Sequence, residues 1–334
     1  CFIALQLEAQ RPVVTERPTA ESVEITNIQT IVVDAKNDYP LVQTVAQLWA
    51  DDYKAVTGKT MTVLPTQPGK MKQLGKTPVI VAGTVGHSAA IDRMAAQGLV
   101  DTAAVGRQWE RYVINAVPER NVVVIAGSDR RGTAYGLLEL SRLMGVSPWY
   151  WWDDIPAQQH EQLHLSAHNY AAPSPSVKYR GLFINDEDWS LTHWAKLNYE
   201  KELGNIGPRT YARVCELLLR LGANMLAPAM HSCSTPFYQN KENMKVADKY
   251  GIVVTTSHCE PLLFNNASKA EWDTSKDGPW DYKINRQNIY NKLNARVAEA
   301  CGNENIYTTA IRGLHDAHMQ GGSQAEKLET MKQV

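Results

Sequence analysis

Hydrophobic positions in the first half of the chain alternate between two periods. Ile31-Val32-Val33 is a short continuous apolar run suited to a buried strand, and Leu41, Val45, Leu48 and Trp49 then recur at i, i+4, i+7 and i+8, the spacing of one helical face. Pro78–Gly83 reads as another strand. Tyr112–Val117 and Val122–Ala126, joined by Pro118-Glu119-Arg120-Asn121, read as a hairpin, and a helix over Thr133–Met144 stops at Gly145. These elements predict an α/β domain over residues 23–156, preceded by an N-terminal tail over 1–22. The polar, proline-bearing stretch 157–177 predicts a linker.

Beyond it the rhythm becomes strand, helix, strand, helix. The expected strands are Tyr179–Ile184, Asn224–Ala229, Ile252–Thr256 and Ile306–Ile311. The expected helices begin at Pro208 and stop at Gly222, cover Met244–Tyr250 with Gly251 as cap, carry Ile289, Leu293 and Val297 up to Gly302, and start again at Gln324. Four consecutive βα units point to a parallel barrel or a doubly wound sheet. A complete eight-unit barrel needs roughly 250 residues, so residues 178–334 hold about half of one. The fold expected is therefore α/β: an N-terminal α/β domain followed by the first half of a (β/α)8 barrel.

Composition narrows the function. Lys plus Arg total 34 against 35 Asp plus Glu, a formal net charge of −1, which removes the electrostatic basis for a nucleic-acid or anionic-membrane partner. No apolar run approaches the ~20 residues of a membrane span. The apolar opening Cys1–Gln10 reads as the tail of a signal peptide, which predicts an exported protein, periplasmic or extracellular. Five widely spaced cysteines without a C-x-x-C pair argue against a disulfide framework or structural zinc, and Cys215 and Cys301 fall on apolar helix positions that predict core thiols. Nine Trp against four Phe, with five of the nine between Trp149 and Trp194, suit a surface that stacks on sugar rings as well as core packing. Arg131-Gly132-Thr133 lacks the glycine pattern of a phosphate loop, and no cofactor is expected.

The chemistry collects where the later strands end. The four ends read Asn185-Asp186-Glu187-Asp188-Trp189, Met230-His231-Ser232-Cys233, Ser257-His258-Cys259-Glu260-Pro261 and Arg312-Gly313-Leu314-His315-Asp316-Ala317-His318. Parallel barrels build their active sites at these ends. Carboxylates dominate the set, and glycoside hydrolysis needs two, one as acid and one as base or nucleophile. A metal centre is the rival reading, given four histidines among carboxylates. No H-x-H stands on the first strand, however, and His315 and His318 lack the i, i+4 spacing of two ligands on one helical face, so no metal is expected.

Trp149–Pro156, Lys178–Asp188, Ser257–Pro261 and Tyr307–Asp316 resemble the α-glucuronidases of glycoside hydrolase family 115. The resemblance implies an inverting hydrolase that removes α-1,2-linked glucuronic acid, or its 4-O-methyl ether, from glucuronoxylan or its oligosaccharides. It also implies a parent chain much longer than this one, able to form a homodimer. Carried over residue by residue, it makes Asp186 and Asp316 the catalytic candidates. Asn185, His258, Glu260 and Arg312 become substrate-binding candidates by the same carry-over, with Arg312 as the fork for the uronate carboxylate, and Glu187, Trp189 and His231 join them from their place at the strand ends. A further catalytic Glu is expected beyond Val334, so this chain alone is expected to be inactive; a non-catalytic carbohydrate-binding protein on the same scaffold is the alternative.

Overall fold

The computed structural model describes residues 11–65, 77–309, 312–320 and 322–333. Its contacts divide into two units: residues 1–178 with 219–222, and residues 179–218 with 223–334.

The first unit contains β1 (Val13–Thr15), β2 (Ser22–Glu24), β3 (Thr30–Val33), α1 (Pro40–Thr57), β4 (Thr62–Pro65), β5 (Val79–Thr84), α2 (Ala89–Ala96), β6 (Tyr112–Val117), β7 (Val122–Gly127), α3 (Arg130–Leu143), β8 (His164–Ser166) and β9 (Tyr170–Ala171). Six of the strands form one sheet in the order β4-β3-β5-β7-β6-β9, parallel from β4 through β7 and antiparallel beyond. β5 and β7 are buried at every position, as expected of strands covered on both faces. The apolar stripe of α1 buries Leu41, Val45 and Trp49, and Gly58 closes the helix in the left-handed conformation.

Two expectations fail here. Residues 157–177 are not a linker: β8 lies between β1 and β2, and β9 extends the large sheet along β6. The signal missed was alternation, because Leu163, Leu165 and Ala167 are buried and alternate with the polar residues His164, Ser166 and His168. For the same reason residues 13–15 are a paired strand rather than tail. Cys1–Gln10, on which the export reading rests, lies outside the described residues.

The second unit contains β10 (Gly181–Phe183), α4 (Leu191–Trp194), α5 (Pro208–Arg220), β11 (Met225–Ala227), α6 (Lys241–Lys249), β12 (Val253–Val254), α7 (Thr274–Asp277), α8 (Tyr282–Ala300) and α9 (Gln324–Gln333). β10, β11 and β12 pair in parallel and in sequence order. Gly181 permits the closest approach, since a Cβ there would stand 1.9 Å from the Met225 carbonyl oxygen. The fourth expected strand is reduced to one parallel bridge, Val254 with Asn305, and Ala310 and Ile311 lie outside the described residues. No closed barrel is formed by the described residues. Cys301 is exposed where a core thiol was expected, because it caps the end of α8 instead of continuing its buried face. Among the described residues no helix is long and apolar enough to cross a membrane.

Candidate active site

The first two strand ends of the second unit are joined by one carboxylate. After β10 the chain turns, with Trp189 N donating to Asp186 O at 3.0 Å, and this turn directs Glu187 inward, where it is fully buried. Its Oε1 accepts from the backbone N–H groups of Met230 and His231, both at 2.6 Å. Oε2 has no hydrogen-bond donor and lies 3.8 Å from His231 Nδ1. Asp188 points outward, with Oδ1 3.1 Å from the same nitrogen. The His231 ring is 6.0 Å from the His315 ring of the fourth strand end.

Glu260 follows β12 and is also buried. Its Oε2 accepts from Ser257 N at 3.2 Å and its carbonyl accepts from Thr256 Oγ1 at 2.9 Å, which ties off the turn after the strand. Burial pushes its carboxyl up to about 7, and the negative charges of Glu271 and Glu187 add to the rise. Between Ser257 and Glu260 the exposed His258 reaches outward to Asp316, Nε2 to Oδ1 at 3.1 Å. Arg312 grips the same carboxylate through Nη1 and donates from Nη2 to the Asp316 carbonyl at 3.3 Å. The hydrogen bond from His258, followed by the charge of Arg312, holds the Asp316 carboxyl below the ordinary range. Asp316 is thus an ionised, solvent-facing carboxylate with two basic partners.

The long connection over residues 255–281 shapes the floor. Phe264 stacks on Trp280 at 5.8 Å and Trp272 meets Trp280 edge-on at 4.8 Å, and with Ile289 and Leu293 of α8 they form a buried cluster. Asn265 Nδ2 donates to Met230 O at 2.8 Å. Asn266 accepts from His315 N at 2.8 Å and donates to Gly313 O at 3.2 Å, holding His315 at φ +51°. Above this floor lies a groove of about 840 Å³ bordered by Asp188, His231, Cys233, Lys269, Asp273 and His315. Its size falls within the range of small-molecule sites, roughly 300–1,000 Å³.

The residues at the strand ends therefore fall into four groups. Asp188, His231 and His315 face the groove; His258, Arg312 and Asp316 form an exposed triad; Glu187 and Glu260 are interior and hold backbone. Asn185 and Asp186 are exposed after β10, and Trp189 is 84% exposed. Sequence reasoning missed the segment that carries Asn266, Lys269 and Asp273. The signal available was the length of the connection, since loops this long in a compact domain usually carry function.

Residues 172–334 match the sequence model of Glycosyl hydrolase family 115. No curated protein matches the chain. Among solved structures the chain is 36% identical to a family GH115 4-O-methyl-α-glucuronidase with specificity for decorated arabinogalactans, at a TM-score of 0.79 and covering 96% of this chain. It spans 39% of the length of that enzyme. A Streptomyces plicatus β-hexosaminidase is 13% identical at a TM-score of 0.47, with 96% of this chain and 56% of that one covered, too loose a likeness to carry an argument.

Proposed function

The chain belongs to glycosyl hydrolase family 115, and from that premise we propose that the full-length protein is an inverting α-glucuronidase. Its reaction is hydrolysis of the α-1,2 bond that joins glucuronic acid, or the 4-O-methyl sugar, to glucuronoxylan. One observation carries the reading for this chain's own residues: Asp316 is an exposed carboxylate kept ionised by His258 and Arg312. A carboxyl held below its usual range is a poor proton donor, so Asp316 takes the base role, drawing a proton from the attacking water. Arg312 uses two of its donors on Asp316 and has others for a uronate carboxylate. Asp186, exposed at the first strand end, is the second carboxyl assigned to this chain. Glu187 and Glu260 act as positioning residues for the backbone of the strand ends. The chemistry is assigned to the second unit, and the first is given a packing role. Export of the protein to meet an extracellular polymer belongs to the same proposal.

The test is release of free uronic acid from glucuronoxylan by the full-length protein, with the anomer of the first-formed product read by NMR. Release of the β-anomer supports inversion; the α-anomer overturns it. Decorated arabinogalactans belong in the same assay, because they are the specificity of the solved relative. A non-catalytic carbohydrate-binding role has its own support in Trp189, which at 84% exposure offers a free indole face beside the strand end. Binding of both polymers without release of uronic acid from either selects that reading.

A further inference from the structure

The groove wall contains an arrangement that the hydrolytic reading does not use. Glu187 is fully buried, yet only one of its oxygens is engaged; Oε2 lacks any hydrogen-bond donor. A buried carboxylate oxygen without a partner is costly, because the charge has left water and gained nothing in return. That oxygen faces His231 Nδ1 at 3.8 Å, Asp188 Oδ1 stands 3.1 Å from the same nitrogen, and one donor atom from each residue lies within 4.8 Å of the others. Ligands bound at about 2.0–2.2 Å to a common ion lie roughly 2.8–4.3 Å apart. Two of the three separations, 3.8 and 3.1 Å, already meet that spacing, and the exposed Asp188 side chain can close the remaining one.

We propose that Glu187, Asp188 and His231 form a binding site for a single divalent cation on the wall of the groove. Two carboxylates and one imidazole suit an ion of borderline softness better than Ca²⁺ or Mg²⁺, and among such ions Zn²⁺ binds tighter than Mn²⁺ or Fe²⁺. The backbone N–H groups of Met230 and His231 fix the Glu187 carboxylate from the other side, so one ligand is preorganised. Asp188 and His231 border the groove, which leaves the remaining coordination positions to water. An imidazolium at His231 would neutralise the same two carboxylates, and the experiment separates the two cases. The site stands whether or not the groove turns over a uronoside.

The test is calorimetric titration of the full-length, EDTA-treated protein with Zn²⁺. The expected result is saturable uptake of one ion per chain, weakened at least tenfold in both Asp188→Asn and His231→Gln and unchanged in Asp273→Asn, which alters another groove carboxylate. Circular dichroism checks that each variant folds, and the exposed position of Asp188 keeps Asp188→Asn informative if His231→Gln does not fold. Absence of saturable uptake overturns the proposal in favour of the imidazolium. Uptake that survives both substitutions also overturns it, since the ion is then held elsewhere, for instance at Cys233.

Discussion

Both units present acidic residues just past the ends of parallel strands, and they use them in opposite ways. In the first unit, Asp34 follows β3 and accepts from the backbone N–H groups of Lys36, Asn37 and Ala89. Asp38 accepts from Thr84 N at 2.7 Å, and Asp129 accepts from Gly132 N and Glu110 N, both at 2.8 Å. These carboxylates are occupied by the orphan donors of turns and helix starts. Of the acids just past the strand ends of the second unit, Glu187 and Glu260 accept from backbone N–H groups in the same way, while Asp186, Asp188 and Asp316 face solvent. An acid engaged by backbone holds a fold; an acid held by His or Arg at the surface can meet a substrate. The contrast separates scaffold from site more sharply than the count of acids does.

The largest test of that contrast is Asp316→Asn in the full-length protein. Turnover should fall about a thousandfold, as expected for removal of a general base, while the melting temperature stays close to that of the parent. Turnover within tenfold of the parent would take Asp316 out of the mechanism. Asp34→Ala should do the reverse. Three backbone donors lose their acceptor, for an expected loss of about 2–4 kcal/mol in urea unfolding, with kcat unchanged. A change in kcat without a loss of stability would erase the distinction between the units.

A third effect lies in the pH dependence of stability. The Glu260 carboxyl is raised in the fold to about 7 from an ordinary 4.5, so the native state holds a proton that the unfolded chain releases. Its contribution is complete below about 4.5 and is lost as pH rises through about 7, at up to ~1.4 kcal/mol per pH unit across that window. Glu260→Gln should flatten this part of the profile, measured as urea midpoints from pH 5 to 7.5. An unchanged slope would mean that Glu260 ionises as freely as in the unfolded chain. The smallest effect is expected for Asp188→Asn, whose stability should stay within about 0.5 kcal/mol of the parent because the carboxylate is exposed.

Much of the scaffold was legible because its signals are local. The stripe on α1, the Asn121 turn of the hairpin and Pro208 at the start of α5 each depend on neighbours in sequence. What was not legible depends on partners far along the chain. β8 is a strand only because β1 and β2, more than 130 residues earlier, flank it. The roles within Asn185–Asp188 show the same limit: all four residues read as polar and reactive, yet the turn after β10 sends Glu187 inward to atoms of Met230 and His231. His258 with Asp316 likewise joins two strand ends 58 residues apart. Both ends were flagged as chemical in the sequence; their pairing is a product of the fold.

Asn266 has a consequence for how this protein ages. Its side-chain amide offers one acceptor to His315 N and one donor to Gly313 O, so the loop that carries His315 is held through a pair of contacts of opposite polarity. Hydrolysis of that single amide to Asp keeps the first contact and sets two oxygens against each other in the second. The lesion begins at the fourth strand end, away from the hydrogen bonds of the sheet. The aim of one imidazole would be lost together with part of the local stability, because Asn266 is buried and the new carboxylate would have no donor at Gly313.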